Sequence, residues 1–196
     1  MELKEIDELI EILKTYPGIN HRQAQKIIYF LLEQNPEQND NQFNQFKTIL
    51  KQIKKCNICK NYTIDFLCSI CASQDRSKKL MVVENSVQIR NYEEWKYFDG
   101  KYFQIPFLFN KRFEKIQNVD LSFFMDYVNN FEEIILAISP TAEGILTTNY
   151  LYEQIKNKNP KIKITKLATG IQMGASIDYA DKLTIFHALK NRKEIE

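Results

Sequence analysis

Four cysteines carry the strongest chemical signal in the sequence. They form two C-x2-C pairs, Cys56 with Cys59 and Cys68 with Cys71, with eight residues between the pairs. Two such pairs supply four thiolates to one tetrahedral Zn²⁺, and a closed four-sulfur site leaves no position for water or substrate. We therefore expect one structural zinc ion per chain, whose binding energy contributes to folding. Four unrelated buried cysteines and a redox pair are the alternatives, and the doubled motif favours metal.

A second candidate site lies at a turn, Tyr16-Pro17-Gly18-Ile19-Asn20, that separates two helical patterns. The turn resembles a helix-hairpin-helix DNA-binding element, in which backbone N–H groups and a helix start face a phosphate. Arg22 and Lys26 are four residues apart, so they share one helix face and can neutralise neighbouring phosphates. We expect Gly18, Asn20, Arg22 and Lys26 to bind DNA without sequence preference. Asn20 replaces the element's second glycine, and Asn tolerates the left-handed conformation better than most residues.

Local charge supports this site more than net charge does, because the formal net charge is only +2. Residues 41–60 contain no acid, and the lysines among them are Lys47, Lys51, Lys54, Lys55 and Lys60. The first three predict a basic stripe beside the apolar face of a helix. The alternative is an ordinary helical corner with solvated cations.

Carboxylates suggest a third site, at the ends of two predicted strands. The run that ends in Glu84 resembles the first strand of a Toprim domain, and a later strand of the catalytic Toprim enzymes ends in D-x-D. Here the strand at residues 134–138 is followed by Ser139 and Thr141 in place of the two Asp. Mg²⁺ requires anionic oxygen ligands, and one Glu cannot organise two-metal chemistry. We therefore predict that the protein is not an enzyme.

Glu84 and Glu143 remain candidates for a partner-binding surface. Glu143 has an equally good structural interpretation, because Ser139 as N-cap, Pro140 at the first helical position and an acid in the first turn suit a helix start. The two histidines, His21 and His187, form no recognisable nucleophile and base arrangement.

These residues must be positioned by two kinds of secondary structure. Apolar residues recur at helical spacing over residues 3–13, from His21 to about Glu33, and at Phe43, Phe46, Leu50 and Ile53 after Asn35-Pro36. Farther along the chain, strands predicted at 80–83, 134–138 and 162–167 alternate with helices predicted at 88–97, 121–129 and 142–156. This alternation indicates βαβ units and a largely parallel sheet.

The order of these motifs resembles the RecR family of bacterial recombination proteins over nearly the whole chain. The resemblance rests on Pro17-Gly18, the four cysteines, Val82-Val83-Glu84, Pro140-Thr141-Ala142-Glu143-Gly144, and Thr169-Gly170-Ile171-Gln172-Met173-Gly174 to Asp178-Tyr179-Ala180-Asp181. It implies a mediator that acts with RecO, and in some settings RecF, to load RecA. It also implies a homo-oligomer, either a dimer or a tetrameric ring around DNA. One departure is residues 105–111, which replace a glycine-rich stretch.

We therefore expect an α/β protein with four parts. They are a helix-hairpin-helix DNA-binding region (1–55), a zinc knuckle (56–78), a Toprim-like domain (79–168) and a C-terminal segment that packs on another subunit (169–196). The first rival is a Toprim-type Mg²⁺-dependent nuclease or related phosphoryl-transfer enzyme. A second is a zinc-stabilised interaction module without DNA affinity.

The sequence also favours a cytoplasmic location. Residues 1–13 are rich in acids, unlike a secretory signal, and no apolar stretch approaches the roughly 18 to 20 residues that a membrane span needs.

Overall fold

The structure is a computed structural model, which describes residues 3–106, 108 and 120–194. The chain divides into two compact units, Met1–Ile53 and Lys54–Glu196. Among the described residues, there is no helix with the length and apolar character needed to cross a bilayer.

The first unit consists of helices α1 (Lys4–Lys14), α2 (His21–Glu33) and α3 (Pro36–Gln52). Helices α1 and α2 bury Ile10, Ala24 and Ile28 against each other, as their apolar periodicity predicts. Acids in the first turn of α1 and Lys14 in its last turn complement the helix dipole. Local sequence and packing therefore agree in this helix pair.

Helix α3 forms where Asn35-Pro36 predicts a helix start. The Asn35 side chain accepts a hydrogen bond from the backbone N–H of Glu37 at 2.9 Å, and Pro36 begins the helix. Its apolar face is nevertheless exposed: Phe43 is 55% and Phe46 is 63% accessible. The pattern thus predicts the helix correctly, but none of the residues of α3 is fully buried.

The second unit contains strands, helices and two 3₁₀ turns. In chain order they are β1 (Lys54–Lys55), β2 (Tyr62–Thr63), α4 (Ser69–Ala72), β3 (Lys79–Val83), α5 (Ser86–Trp95), β4 (Lys101–Gln104), α6 (Ser122–Tyr127), the turn Val128–Asn130, β5 (Glu133–Leu136), α7 (Ala142–Lys158), β6 (Lys163–Lys166), the turn Ile177–Tyr179 and α8 (Lys182–Lys190). Strands β1 and β2 form an antiparallel hairpin.

Strands β3 to β6 form one parallel sheet in the order β4-β3-β5-β6. The chain passes from β3 to β4 on one side, whereas β5 pairs with β3 on the other. The gap between the carboxyl ends of β3 and β5 is therefore the topological switch point, where open α/β sheets bind ligands. Glu84 and Ser139 lie just beyond these two strand ends.

The central strand β3 is buried on both faces, because alternate side chains point to opposite sides of the sheet. Leu80 and Val82 belong to the core that includes residues of α6 and α7. Met81 and Val83 belong to a second core, which contains Ile89 of α5 and the four cysteines. The cysteines therefore pack as part of the layer that covers this face of the sheet.

The cysteine knuckle, which we define as residues 56–71, is also hydrogen-bonded to strand β4. The backbone N–H of Gln104 donates to the carbonyl of Cys59 at 2.9 Å. The Nζ of Lys101 donates to the carbonyl of Cys71 at 3.2 Å. One residue of each C-x2-C pair is thus fixed to the same strand.

An ion pair fixes the chain just after the knuckle. Arg76 donates to both carboxylate oxygens of Glu93, with Nη1 to Oε1 at 2.7 Å, and to the carbonyl of Gly100 at 3.2 Å. The hydroxyl of Tyr102 donates to Glu93 Oε1 at 2.9 Å. The hydrogen bond from Arg76 lowers the pKa of Glu93, and burial raises the pKa of Tyr102. Glu93 therefore stays ionised and Tyr102 stays a donor at neutral pH.

The structure confirms the predicted fold class: a helix-hairpin-helix pair, a four-cysteine cluster and a Toprim-like parallel sheet with flanking helices. The predicted helices and strands occur, with ends displaced by a few residues. The pattern predicts neither β4 nor α8. In the stretch 105–111, residues 107 and 109–111 lie outside the described residues. The division into four parts stays a prediction.

The Arg76–Glu93 pair gives a pH-dependent contribution to stability. The folded-state pKa of Glu93 lies below its ordinary value of 4.5. The ionised carboxylate therefore stabilises the fold fully above that ordinary value, and the contribution is lost as pH falls through the folded-state pKa. Glu93→Gln should lower the unfolding temperature near pH 7, by less than a fully buried pair would because both side chains are partly exposed.

Thermal unfolding of the wild type and Glu93→Gln across pH 3 to 7 measures this effect. The difference between them should shrink below about pH 4.5. The exposed neighbour Glu94→Gln is the matched control and should show little change at any pH. A constant difference between wild type and Glu93→Gln at all pH values would contradict the assigned ion pair.

Candidate metal centre and nucleic-acid interface

The turn between α1 and α2 has one left-handed residue, Gly18, with φ of +82°. The backbone N–H of Ile19 donates to the carbonyl of Tyr16 at 3.3 Å and closes the turn. A residue with a side chain would be strained at Gly18. This glycine of the predicted hairpin therefore has a direct conformational role.

The expectation that Asn20 adopts the left-handed conformation is wrong, because its φ is −88° and its ψ is 170°. Asn20 is the N-cap of α2 instead. Its side-chain oxygen accepts from the N–H of Gln23 at 3.0 Å, and its own N–H donates to the Gln23 side chain at 2.9 Å. This capping box satisfies two backbone N–H donors at once, so Asn20 stabilises the helix start without backbone strain.

Arg22 and Lys26 lie one turn apart on α2, and both are exposed. The buried residues of the helix, Ala24 and Ile28, lie on its other side. Because packing against α1 holds the buried side inward, the two cations face solvent beside the helix start. This is the geometry that phosphate binding at a hairpin requires. DNA binding by these residues stays a prediction.

The basic run at residues 41–60 is divided between secondary-structure elements. Helix α3 ends at Gln52, so Lys47 and Lys51 lie on the helix whereas Lys54 lies in strand β1. The predicted helical stripe of three lysines is therefore wrong. Lys60 follows the first cysteine pair and has a left-handed backbone, with φ of 64°.

The four cysteines converge on one buried point. Their Sγ atoms all lie within 4.8 Å of one another, and each residue is at most 7% exposed. The Sγ atoms of Cys59 and Cys68 are 3.5 Å apart, and the N–H of Cys68 donates to the Sγ of Cys56 at 3.4 Å. A disulfide needs sulfurs about 2.05 Å apart, so the geometry is that of ligands around a common centre.

The electrostatics of this cluster require a cation if all four thiols are to ionise. Hydrogen bonds from Cys59 and Cys71 lower the pKa of Cys68 to about 2. The hydrogen bond with Cys68, together with burial, raises the pKa of Cys59 to about 12. The hydrogen bond with Cys59, together with burial, likewise raises the pKa of Cys71. Once the Cys68 thiolate forms, Cys59 and Cys71 keep their protons unless a positive charge compensates them.

The residues fit a divalent metal with tetrahedral geometry. Metal–sulfur bonds of about 2.3 Å place the sulfurs of a tetrahedral site about 3.8 Å apart, and the observed 3.5 Å separation and 4.8 Å limit agree with that spacing. In the described part of the chain, this is the one group of three or more His, Cys, Asp or Glu side chains close enough to hold a metal.

Among the residues that the structure describes, the sheet edge at the switch point lacks such a ligand set. A carboxylate oxygen of Glu84 accepts a hydrogen bond from the backbone N–H of Ser139. The backbone N–H of Glu84 donates to the side chain of Gln88 at 2.8 Å. The carboxylate of Glu84 is therefore engaged in joining the ends of β3 and β5, and neutral side chains stand at 139 and 141. Mg²⁺ does not fit this donor set.

The start of α7 corrects the predicted cap. Thr141 is the N-cap, and its hydroxyl accepts from the N–H of Gly144 at 3.1 Å. Ser139 and Pro140 precede the cap, so their predicted helix-start roles are wrong. A Cβ at Gly144 would lie 1.9 Å from the carbonyl oxygen of Ser139, which explains the glycine. Glu143 lies in the first turn of α7, as predicted.

The sequence gives no sign of the contacts that position these residues. Gln88 supports Glu84, and Arg76 binds Glu93 from a distant part of the chain. A pair separated by 17 residues has no periodic signature. Sequence reasoning therefore identifies the cysteine cluster but misses the contacts of Glu84 with Gln88 and of Glu93 with Arg76.

Comparison with known proteins supports the family resemblance that the order of the motifs indicates. The family model described as "RecR, C-terminal" matches residues 173–193. The recombination protein RecR of Mycoplasmopsis pulmonis is 36% identical, with 98% of this chain and 100% of that protein covered. The RecR proteins of Finegoldia magna and Francisella philomiragia are each 32% identical, with at least 96% of each chain covered. At this identity over the full length of its relatives, the chain belongs to the RecR family of recombination proteins.

Proposed function

We propose that this chain is a DNA-binding recombination mediator that acts by binding and assembly. Membership of the RecR family gives it a role in DNA recombination and repair. The observation that carries the DNA-binding proposal is the hairpin, in which Gly18 closes the turn while Arg22 and Lys26 stay exposed beside a capped helix start.

The hairpin suits a phosphate for two reasons. Backbone N–H groups at the start of α2 have no earlier helical partners, and the helix dipole adds positive potential there. Arg22 and Lys26 add two full charges one turn apart. Such contacts neutralise phosphates without touching base edges, so affinity should fall with salt and be independent of sequence. Gly18 and Asn20 contribute by shaping the turn.

We propose that the metal is zinc, one ion per chain, held by Cys56, Cys59, Cys68 and Cys71. Four buried thiolates are soft ligands, and a four-sulfur tetrahedral site is typical of structural zinc. When bound, the ion supplies charge compensation and a cross-link. Its role is structural because all four coordination positions are taken by protein.

We propose that the protein is not an enzyme. Its relatives are named as recombination proteins and not as enzymes. At the switch point, Glu84 is bound to Ser139, and positions 139 and 141 carry hydroxyls. One engaged carboxylate cannot hold the metal ions that phosphoryl chemistry needs.

Family membership also supports specific partners. We propose that the chain acts with RecO, and in some settings RecF, to promote RecA loading in the cytoplasm. Glu84 and Glu143 are our candidates for a partner-binding surface, with Glu143 half-buried in the first turn of α7. The four-part domain division and the inter-subunit role of residues 169–196 belong to the same proposal.

Exposed apolar residues support a homo-oligomer, either a dimer or a tetrameric ring. Helix α3 exposes Phe43 and Phe46, and helix α8 exposes Leu183, Phe186 and Leu189 at 59–69%. Apolar helix faces of this kind are typical of surfaces buried on assembly. Native mass spectrometry with and without DNA reports the number of chains.

The DNA-binding face is tested by Arg22→Ala with Lys26→Ala. Loss of two phosphate contacts should weaken DNA binding about tenfold at low salt, equally for different sequences, and reduce the salt slope by roughly 1.4 to 1.8. Arg90→Ala with Lys161→Ala is the matched control, since it removes the same charges from exposed positions elsewhere. Fluorescence anisotropy at several salt concentrations gives both quantities.

Unchanged affinity in Arg22→Ala with Lys26→Ala would contradict the assigned face. The absence of any binding by the wild type, even at low salt, would instead favour an interaction module without DNA affinity.

The absence of Toprim chemistry is tested by adding Mg²⁺. Millimolar Mg²⁺ should not raise the unfolding temperature of the wild type, and no Mg²⁺-dependent DNA cleavage should occur. Ser139→Asp with Thr141→Asp should gain a Mg²⁺-dependent rise, because new carboxylates then join Glu84 at the strand ends. Ser139→Asn with Thr141→Asn, of similar shape but neutral, is the control.

Mg²⁺-dependent cleavage by the wild type that is lost in Glu84→Gln would refute the non-enzymatic role and support the phosphoryl-transfer alternative.

A further inference from the structure

A pocket that has no place in the proposed hairpin site lies in the second unit, beside the cysteine knuckle. It has a volume of about 290 Å³ and an apolar floor that includes Phe103 and Phe124, which are 4% and 1% exposed. Its rim includes Lys55, Lys60 and Phe123. This volume is just below the roughly 300–1,000 Å³ typical of small-ligand pockets, so the pocket suits a small group such as a single base.

Phe123 presents an aromatic ring at the rim of this pocket. The side chain is 48% exposed, and its ring stacks on Tyr127 with centroids 6.0 Å apart at an angle of 11°. Tyr127 packs against the core of the sheet. The ring of Phe123 is therefore supported on one side while about half of its surface remains accessible.

Lysines accompany the exposed rings at this surface. The Nζ of Lys60 lies 5.4 Å from the ring centroid of Phe123, and the Nζ of Lys55 lies 5.9 Å from that of Tyr62. Tyr62 is 60% exposed. Residues 54–64 contain three lysines and no acid. Positive charge and accessible rings thus occur together.

The backbone of Lys60 has an uncommon conformation. Its φ of 64° lies in the left-handed region, which costs a residue with a side chain about 1 kcal/mol or more and which glycine adopts freely. A lysine nevertheless stands there, with its Nζ held by the carbonyl of Asn57 at 2.8 Å.

Asp120 also lines the pocket and determines how a nucleotide would lie in it. Its carboxylate accepts from the N–H of Ser122 at 2.8 Å, and hydrogen bonds from Ser122 lower its pKa, so it is ionised. A negative charge there repels a phosphate. The apolar interior suits a base, whereas the phosphates on either side suit Lys55 and Lys60.

We propose that this pocket binds one unstacked base of single-stranded DNA on Phe123, with Lys55 and Lys60 neutralising the adjoining phosphates. The proposal rests on the proposed DNA binding and adds a second contact, in the other unit of the chain. Stacking on an aromatic ring tolerates every base, so the contact favours single strands without sequence preference. A duplex cannot offer a base in this way.

The test compares a short oligothymidylate with an abasic oligonucleotide of the same length, which has the phosphates but no bases. The wild type should bind the oligothymidylate about fivefold or more tightly. Phe123→Leu, which keeps an apolar side chain, should bring the ratio of oligothymidylate affinity to abasic affinity close to one. It should leave the affinity for the abasic oligonucleotide unchanged. A wild-type ratio near one, or the wild-type ratio in Phe123→Leu, would overturn the proposal.

Lys60→Gly gives a second test that does not disturb the fold, because glycine relieves the left-handed backbone. It should weaken binding to both oligonucleotides alike and reduce the single-strand salt slope by about 0.7. Lys96→Gly is the matched control, since Lys96 is an exposed lysine with φ of 57°. It should preserve wild-type binding. Equal effects of the two changes would overturn the role of Lys60.

The outcomes separate this pocket from the hairpin. If Arg22→Ala with Lys26→Ala keeps both the wild-type affinity and the preference for an oligonucleotide with bases, the hairpin face is contradicted and the pocket is supported. If that double variant binds DNA more weakly, and Phe123→Leu keeps the wild-type ratio of oligothymidylate affinity to abasic affinity, the hairpin face is supported and the pocket is contradicted. No wild-type binding to either oligonucleotide would overturn both.

Discussion

The fold of the second unit depends on one electrostatic constraint: four buried sulfurs within 4.8 Å of one another cannot all carry charge without a cation among them. The raised pKa of Cys59 and of Cys71 expresses that constraint. A tetrahedral divalent ion removes it and cross-links two short segments that otherwise contain little regular structure. Because the cysteines pack in the same core as Met81 and Val83 of the central strand, an ion held by them would tie the knuckle to one face of the sheet.

The knuckle in turn fixes the edge of the sheet and the surface beside it. Gln104 and Lys101 of β4 bind the carbonyls of Cys59 and Cys71, so the knuckle and the edge strand share hydrogen bonds. Lys55 and Lys60 flank the first cysteine pair, and their positions follow from its geometry. On the other side of β3, where β5 pairs with it, the Glu84 carboxylate accepts a hydrogen bond from the backbone N–H of Ser139. This hydrogen bond links the carboxyl ends of β3 and β5 directly.

Local features of the sequence predict much of this. Cysteine spacing predicts the cluster, helical periodicity predicts α1 and α2, and the buried run at 80–83 predicts β3. Features set by distant contacts are not predictable in that way. Whether Asn20 is left-handed or a cap depends on where Gln23 lies, and the exposed apolar face of α3 depends on what packs on it. The contact of Lys60 with Phe123 exists because the sheet brings together residues far apart in the chain.

Zinc K-edge X-ray absorption of the purified protein tests the central claim most directly, because it identifies the metal and counts its ligand atoms. The account predicts about one zinc ion per chain with four sulfur neighbours at about 2.3 Å and no lighter ligands. A metal-free folded protein, or an ion bound by nitrogen or oxygen at about 2.0 to 2.1 Å, would contradict it.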